Sequence, residues 1–233
     1  MIYKIQYNIR FPADHTFNKP IQYLLVSGFY KSIKDKLCLN ENKECKSCNH
    51  VKKCIYYFVS GENFNKYPGI LIQKNYYEKK HFKANESTII KFYLIGNTEI
   101  YKNLVIDYML YLDYIGGIFI QKSKLANEKL NTKSNFSGKI IFKSPFKNVQ
   151  EIHDMILYYN ETYKTRINPN FIIKPLNTRK LIDETKYIIN NHFFRISGHA
   201  GIYEVIDYPL SLIEIGVGKE NIIGGGHAIC VLE

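Results

Sequence analysis

The chain has 233 residues, 45% hydrophobic and 15% aromatic, which suffices for one large core or two cores of roughly 100 residues each. It has no apolar run of membrane-spanning length, and its first residues alternate between apolar and polar, which disfavours a membrane span and a signal peptide. We therefore expect a globular, cytoplasmic protein. The net charge of +11 and the pI near 9.2 indicate a polyanionic partner such as nucleic acid, although AT-rich coding also produces many lysines.

The first half of the chain predicts the order strand, helix, strands, helix, strand. Apolar residues alternate over 2–11 and recur at helical spacing over 21–37, where Gly28 indicates close packing against another element. Short apolar runs at 55–59 and 70–73 and the segment 88–95 predict strands. A helix is expected from Asn97 or Thr98 to the glycine pair at 116–117, followed by a strand over 118–122.

Four of the five cysteines fall within seventeen residues, with the spacing C-x6-C-x2-C-x5-C. In a cytoplasmic protein, four thiolates can close a tetrahedral shell around a structural zinc ion, which would leave no open position for substrate. An unmetallated or redox-variable cluster, an iron–sulfur cluster and, less favoured, disulfides are the alternatives. The candidate metal ligands are Cys38, Cys45, Cys48 and Cys54, whereas Cys230 is expected to be a small core residue.

The second half repeats the same order of elements. We expect a linker or hairpin over 124–138, strands over 139–145, 170–175 and 192–197, helices over 149–163 and 178–190, and a final pair of strands. The predicted fold class is α+β, with two tandem ferredoxin-like (RRM-like) β-α-β-β-α-β units that have antiparallel sheets. The expected domains are residues 1–125, with the four-cysteine insertion at 38–54, and residues 136–233, with a glycine-rich loop.

That loop holds five glycines within eleven positions, 216–226, around Lys219. Glycines let backbone amides approach a ligand closely, and amides beside a lysine suit phosphate oxygens. No Ser or Thr follows the Gly-Lys pair and no helix is expected after it, so a Walker A nucleotide site is disfavoured. The alternative is a glycine-rich hairpin turn before the last strand.

The G-K-x4-G-x-G tail resembles the C-terminal signature of the RAMP superfamily, and within it the CRISPR-associated endoribonucleases that process precursor CRISPR RNA. The segments L-V-S-G-F-Y, the four cysteines with I-Y-Y-F-V, F-Y-L-I-G-N, G-G-I-F, I-I-F-K-S-P and H-F-F-R-I-S-G-H are similar to one branch of that family, which carries a zinc-ribbon-like insertion. The resemblance implies metal-independent cleavage within repeats. The ribose 2′-OH would attack the adjacent phosphorus, leaving 2′,3′-cyclic phosphate and 5′-OH ends.

This chemistry needs a base, an acid and positive charge beside the phosphorane, which His, Tyr and Lys side chains supply. The family commonly places its base near the end of the first helix, which points to His50, while a spare zinc ligand or an exposed loop residue remain alternatives for it. Tyr30 and Lys34, four apart on one helix face, are candidates for the acid and the stabilising cation. His15, after the first strand, is the second candidate base.

The candidate RNA contacts are drawn from the glycine-rich loop and from side chains suited to phosphate. His199 and His227 are also weaker candidates for the base, whereas His81, His153 and His192 are expected at the surface. The candidate RNA contacts are Gly218, Lys219, Gly224, Gly225, Gly226, Arg179, Arg195, His199 and His227.

Two alternative functions remain. The first is a non-catalytic RAMP subunit that binds guide RNA in a CRISPR effector complex, with other subunits of that complex as partners. The second is a zinc-dependent RNA-binding protein outside CRISPR.

Overall fold

The computed structural model describes residues 1–38, 40, 45, 47–73, 79–182 and 186–231. Its α-helices are α1 (Ile21–Leu37), α2 (Ile55–Val59), α3 (Gly61–Phe64), α4 (Lys102–Tyr111), α5 (Val149–Thr162) and α6 (Leu210–Ile215). Its strands are β1 (Ile2–Arg10), β2 (His15–Thr16), β3 (Ile70–Ile72), β4 (His81–Phe82), β5 (Ser87–Ile95), β6 (Tyr114–Ile115), β7 (Ile118–Phe119), β8 (Gln121–Leu130), β9 (Asn135–Phe146), β10 (Ile172–Ile182), β11 (Tyr187–Ile189), β12 (His192–Phe194), β13 (Ser197–Pro209) and β14 (Ala228–Cys230). Short 3-10 helices cover Val51–Lys53, Gly96–Tyr101 and Lys219–Ile223.

Two four-stranded antiparallel sheets organise the chain. The first has the order β3-β5-β1-β8 and the second the order β10-β13-β9-β14. When the strands of each sheet are counted in chain order, the first strand lies between the third and the fourth. A helix follows the first strand, and another follows the third. This is the β-α-β-β-α-β ferredoxin-like arrangement, occurring twice. The predicted fold class is therefore confirmed.

Helix α1 shows how the sequence pattern becomes packing. Its buried side chains, such as Leu25, Phe29 and Ile33, recur at helical spacing and contribute to the core. A Cβ on Gly28 would lie 2.7 Å from the Tyr108 hydroxyl of α4, so the glycine lets this side chain pack directly against α1. The expectation of close packing at Gly28 is confirmed.

A small hairpin, β11 and β12, extends from the second unit onto the first. Its two-residue turn, Asn190–Asn191, has φ of 46° and 69°, a left-handed conformation that asparagine tolerates in hairpin turns. The Tyr23 hydroxyl of α1 donates to the Ile188 carbonyl at 2.7 Å, and Asn190 Nδ2 donates to the Tyr56 hydroxyl of α2 at 3.0 Å. These contacts attach the two units to each other.

Two predicted elements are wrong. The helix over 178–190 is absent, because residues up to Ile182 pair along β13 and Tyr187–Ile189 form β11; residues 183–185 lie outside the described part of the chain. The second unit takes its second helix from α6 instead. The aromatic run Ile55–Val59 is helical rather than extended.

The predicted linker over 124–138 is mostly strand. Strand β8 continues to Leu130 and β9 begins at Asn135, so residues 131–134 alone connect the two sheets and the expected boundary at residue 125 falls inside β8. Among the described helices, none combines the length and apolarity that crossing a membrane requires.

Candidate functional site

The glycine-rich loop is folded against the protein itself. Its five glycines are buried, and the amides of Gly224, Gly225 and Gly226 donate to the carbonyls of Asn221, Glu220 and Pro145 at 3.1, 2.8 and 3.0 Å. A Cβ on Gly226, whose φ is 60°, would lie 2.2 Å from the Val217 carbonyl oxygen. The glycines thus permit a tight internal turn. The prediction that Gly218, Gly224, Gly225 and Gly226 present free amides to RNA is wrong, because these residues are covered by the protein.

A buried carboxylate takes the position that the sequence suggested for phosphate. Glu151, 8% exposed in the first turn of α5, accepts hydrogen bonds from the backbone amides of Lys219 at 3.4 Å and Lys147 at 3.3 Å. Its Oε2 atom would lie 2.9 Å from a Cβ on Gly218. The loop therefore does bind an oxyanion, but one that belongs to this chain. The Lys219 side chain is exposed.

Tyr30 is 1% exposed and lies in the interior behind α1. Its hydroxyl donates to the Ile70 carbonyl at 2.6 Å and to the Val59 carbonyl at 3.2 Å. Burial raises the pKa of this phenol well above its usual range. The prediction that Tyr30 donates a proton to RNA is wrong, because no substrate atom can reach its hydroxyl without displacing the core.

His50 and Lys34 lie in one neighbourhood, at the end of the first unit where α1 stops. His50 is exposed and lines a cavity of about 250 Å³ together with Lys53, Tyr56 and Tyr57. The Lys34 ammonium lies 5.8 Å from the centre of the Tyr56 ring. An imidazole, two ammonium groups and the half-buried phenol of Tyr57 are therefore grouped there, and these groups can act in acid–base chemistry.

The four cysteines of the insertion line the same cavity. Burial raises the pKa of the Cys45 thiol, while Lys34 acts in the opposite direction and the other three thiols add to the increase. In the part of the chain that the structure describes, no three His, Cys, Asp or Glu side chains are arranged to hold a metal ion. The sulfur atoms are thus neighbours without forming a coordination shell.

His15 lies far from this neighbourhood. It follows the end of β1, and its ring packs 4.6 Å from that of Phe17. Strand β3, near the cavity, pairs with the last residues of β5, and these residues in turn pair with Tyr3 in β1. The cysteine cavity therefore lies near the beginning of β1. The structure therefore does not bring His15 and His50 together.

The remaining predicted RNA contacts are spread over the second unit. Arg179 lies on β10, Arg195 follows β12 and His199 lies near the start of β13, and all three are exposed. The main chain of His227 is fixed, because its amide donates to Ser144 Oγ at 2.8 Å and its carbonyl accepts from Lys143 at 2.8 Å. His192, expected at the surface, is half-buried in β12.

The residues that sequence reasoning missed are Glu151 and Tyr57. Asn148 accepts a hydrogen bond from the Glu151 amide at 2.9 Å, and this N-x-x-E pattern at a helix start is a signal that marks Glu151 as a capping residue. No local signal identifies Tyr57, because its place in the cavity depends on the helical form of the run predicted as a strand.

No protein-family model matches the chain, and no curated protein matches it either. Solved structures match over the full length. A "CRISPR associated protein Cas6" has 16% identity, a TM-score of 0.53 and 100% of both chains covered. "An RAMP protein binding different RNA substrates" has 12% identity, a TM-score of 0.54, and 99% of this chain and 100% of its own covered. A "Cas6b" structure has 16% identity, a TM-score of 0.50 and the same coverage. The resemblance inferred from sequence is confirmed in the fold: over its whole length, this chain has the tandem ferredoxin-like architecture of Cas6 and RAMP proteins.

Proposed function

We propose that this protein is an endoribonuclease that cuts precursor CRISPR RNA within its repeats. The observation that carries the proposal is the full-length likeness to a Cas6 protein, with both chains wholly covered. The net charge of +11 favours RNA as the polyanionic partner. The branch with a four-cysteine insertion, inferred from sequence, is part of this proposal.

The proposed reaction needs no metal ion. His50 removes the proton from the ribose 2′-OH, and the resulting oxygen attacks the adjacent phosphorus. The bond to the 5′-oxygen breaks, giving a 2′,3′-cyclic phosphate and a 5′-hydroxyl group. Lys34 and Lys53 stabilise the negative charge of the phosphorane. Tyr57 takes the role first assigned to Tyr30 and protonates the leaving oxygen, since it lines the same cavity as His50.

RNA contacts away from the cleaved bond would come from the exposed cations of the second unit. We propose that Arg179, Arg195 and Lys219 bind phosphate groups and that His199 and His227 lie along the same RNA. This assignment relies on side chains alone, because the amides of Lys219, Gly224, Gly225 and Gly226 already have partners within the protein.

A second candidate is a non-catalytic subunit that binds guide RNA in an effector complex. Two observations favour it: the likeness to an RAMP protein described as binding different RNA substrates and the burial of Tyr30. The two functions share their RNA contacts and differ in the chemistry at His50.

We also propose that the cysteine cluster holds a structural zinc ion. The donor chemistry suits zinc, since Cys38, Cys45, Cys48 and Cys54 line one cavity and thiolates are preferred zinc ligands, although the described side chains are not arranged as a coordination shell. Binding would draw the sulfur atoms together and release thiol protons. Metal analysis and thermal unfolding with and without chelator test this proposal. Equal stability of wild type and a Cys45→Ser, Cys48→Ser variant, with no bound zinc, would reject it.

The function itself is tested by incubating the purified protein with its repeat RNA in EDTA. Product ends carrying 2′,3′-cyclic phosphate and 5′-hydroxyl support the endoribonuclease. RNA that is bound but stays intact supports the non-catalytic subunit instead.

A further inference from the structure

The segment from Tyr163 to Ile167 presents two cations at the junction of the two units. Tyr163, Thr165 and Ile167 are buried, while Lys164 and Arg166 between them are exposed. The segment directly follows α5 and crosses the end of β5 in the first unit, because the Asn97 amide donates to the Tyr163 carbonyl at 2.8 Å.

This segment is held rigidly. Asn160 Oδ1 accepts from the Thr165 hydroxyl at 2.6 Å and from the Ile167 amide at 2.7 Å, and Asn160 Nδ2 donates to the Ile167 carbonyl at 2.7 Å. Gly96 makes room for it, since a Cβ there would lie 1.8 Å from the Tyr163 carbonyl oxygen. The positions of the two cationic residues are therefore set by the surrounding structure.

Both cationic residues have left-handed backbone conformations. The φ of Lys164 is 57° and that of Arg166 is 70°, which costs on the order of 1 kcal/mol for each residue. Such strain persists where the surroundings enforce it, and it is concentrated at binding sites. In this segment, the left-handed conformation occurs at the two residues whose side chains are exposed, Lys164 and Arg166.

Further cations converge on the same place. Arg166 lines an open cavity of about 330 Å³ with Lys129, at the end of β8, and Lys133, in the connection between the sheets. Lys164 lines an adjoining cavity of about 450 Å³ with Lys102 and Glu99. Glu99 pairs with Lys129 at 3.1 Å. Within the described ranges, Lys133, Lys164 and Arg166 form no ion pair, so the group has an uncompensated positive charge.

We propose that Lys133, Lys164 and Arg166 form a phosphate-binding site that holds the backbone of an RNA strand at the junction of the two units. Cations that line two adjoining cavities suit successive phosphates better than a single small anion. The ligand rests on the proposed function, but the site does not, because its two cavities share no described lining residue with the cavity of His50.

The test compares a Lys133→Gln, Lys164→Gln, Arg166→Gln variant with a control, Lys31→Gln, Lys66→Gln, Lys83→Gln, which removes the same charge from exposed positions elsewhere. Affinity for a single-stranded 20-nucleotide RNA is measured against salt concentration. The slope of log affinity on log salt changes by about 0.7 per phosphate contact on single strands, so the site variant should lose about 2 from its slope. The control variant should keep more of the wild-type slope, since its lysines do not line the site.

Lys133 lies in an exposed turn, so the single variant Lys133→Gln should disturb the fold least. The slope of its log RNA affinity on log salt should fall by about 0.7. Equal slopes for the site and control variants would overturn the proposal. Binding of inorganic phosphate at this site, combined with RNA affinity that the substitutions do not change, would overturn it as an RNA contact. Intact RNA after incubation would contradict cleavage but not this site, because the slope is measured on binding alone.

Discussion

The Glu151 carboxylate accepts a hydrogen bond from the Lys219 backbone amide at 3.4 Å, within the segment whose glycines suggested a phosphate site. The glycine-rich loop and the start of α5 are thereby joined through a buried charge, and the same carboxylate accepts from the Lys147 amide. The loop thus has a structural role in the second unit, and its Lys219 side chain remains directed to solvent.

Glu151→Ala should destabilise the protein by about 2 kcal/mol or more, because two amides in a region that water reaches poorly lose their acceptor. Glu151→Gln keeps one acceptor oxygen and should cost less. Urea unfolding of the two variants measures the difference. An alanine variant as stable as wild type would show that the loop does not depend on this carboxylate.

Tyr30→Phe and Tyr57→Phe form a matched pair. Tyr30→Phe should lower the free energy of unfolding by about 1 kcal/mol through the lost hydrogen bonds and leave the rate of RNA cleavage unchanged. Tyr57→Phe should slow cleavage with little loss of stability. Single-turnover kinetics and urea unfolding separate the two effects. Slower cleavage by Tyr30→Phe at a temperature where the variant is fully folded would contradict the assignment.

Four histidine variants test the choice of base. His50→Ala should slow cleavage by about 100-fold or more, the usual contribution of a general base. His15→Ala should cut at nearly the wild-type rate, since His15 lies at the opposite end of β1, and His199→Ala and His227→Ala should affect RNA affinity more than rate. Single-turnover rates in EDTA provide the comparison. If all four variants cut at the normal rate, catalysis uses no histidine base.

The hairpin turn provides a controlled test of the contact between units. Asn190→Gly and Asn191→Gly both relieve a positive φ, but only the first removes the hydrogen bond to the Tyr56 hydroxyl. Asn190→Gly should therefore be less stable than Asn191→Gly by about 1 kcal/mol. The difference between their urea midpoints measures it, and identical midpoints would mean that this hydrogen bond contributes nothing.

Periodicity predicted the elements that bury one face, such as β1, α1, β5 and α5, because their apolar spacing matches a strand or a helix. It failed where long-range pairing decides the structure. Residues 178–182 favour a helix locally, yet they extend β10 because β13 offers a full row of hydrogen-bond partners.

The candidate site was harder to predict for a related reason. Glycine spacing indicated close approach at 216–226 but not what approaches. Backbone carbonyls of the same chain accept from the amides of Gly224, Gly225 and Gly226, and the Glu151 carboxylate accepts from the amide of Lys219. The helical position of Tyr30 was predicted correctly, but its burial depends on strand β3 and helix α2, which lie 29 to 40 residues further along the chain.

The most direct measurement of the central claim uses two repeat RNAs that differ by one 2′-deoxy substitution at the cleaved nucleotide, each incubated with the wild-type protein in EDTA. We predict that the all-ribose RNA is cut to a 2′,3′-cyclic phosphate, and that the substituted RNA binds with the same affinity but stays intact. Cleavage of the deoxy-substituted RNA at the same position would contradict attack by the 2′-oxygen, and with it the mechanism assigned to this protein.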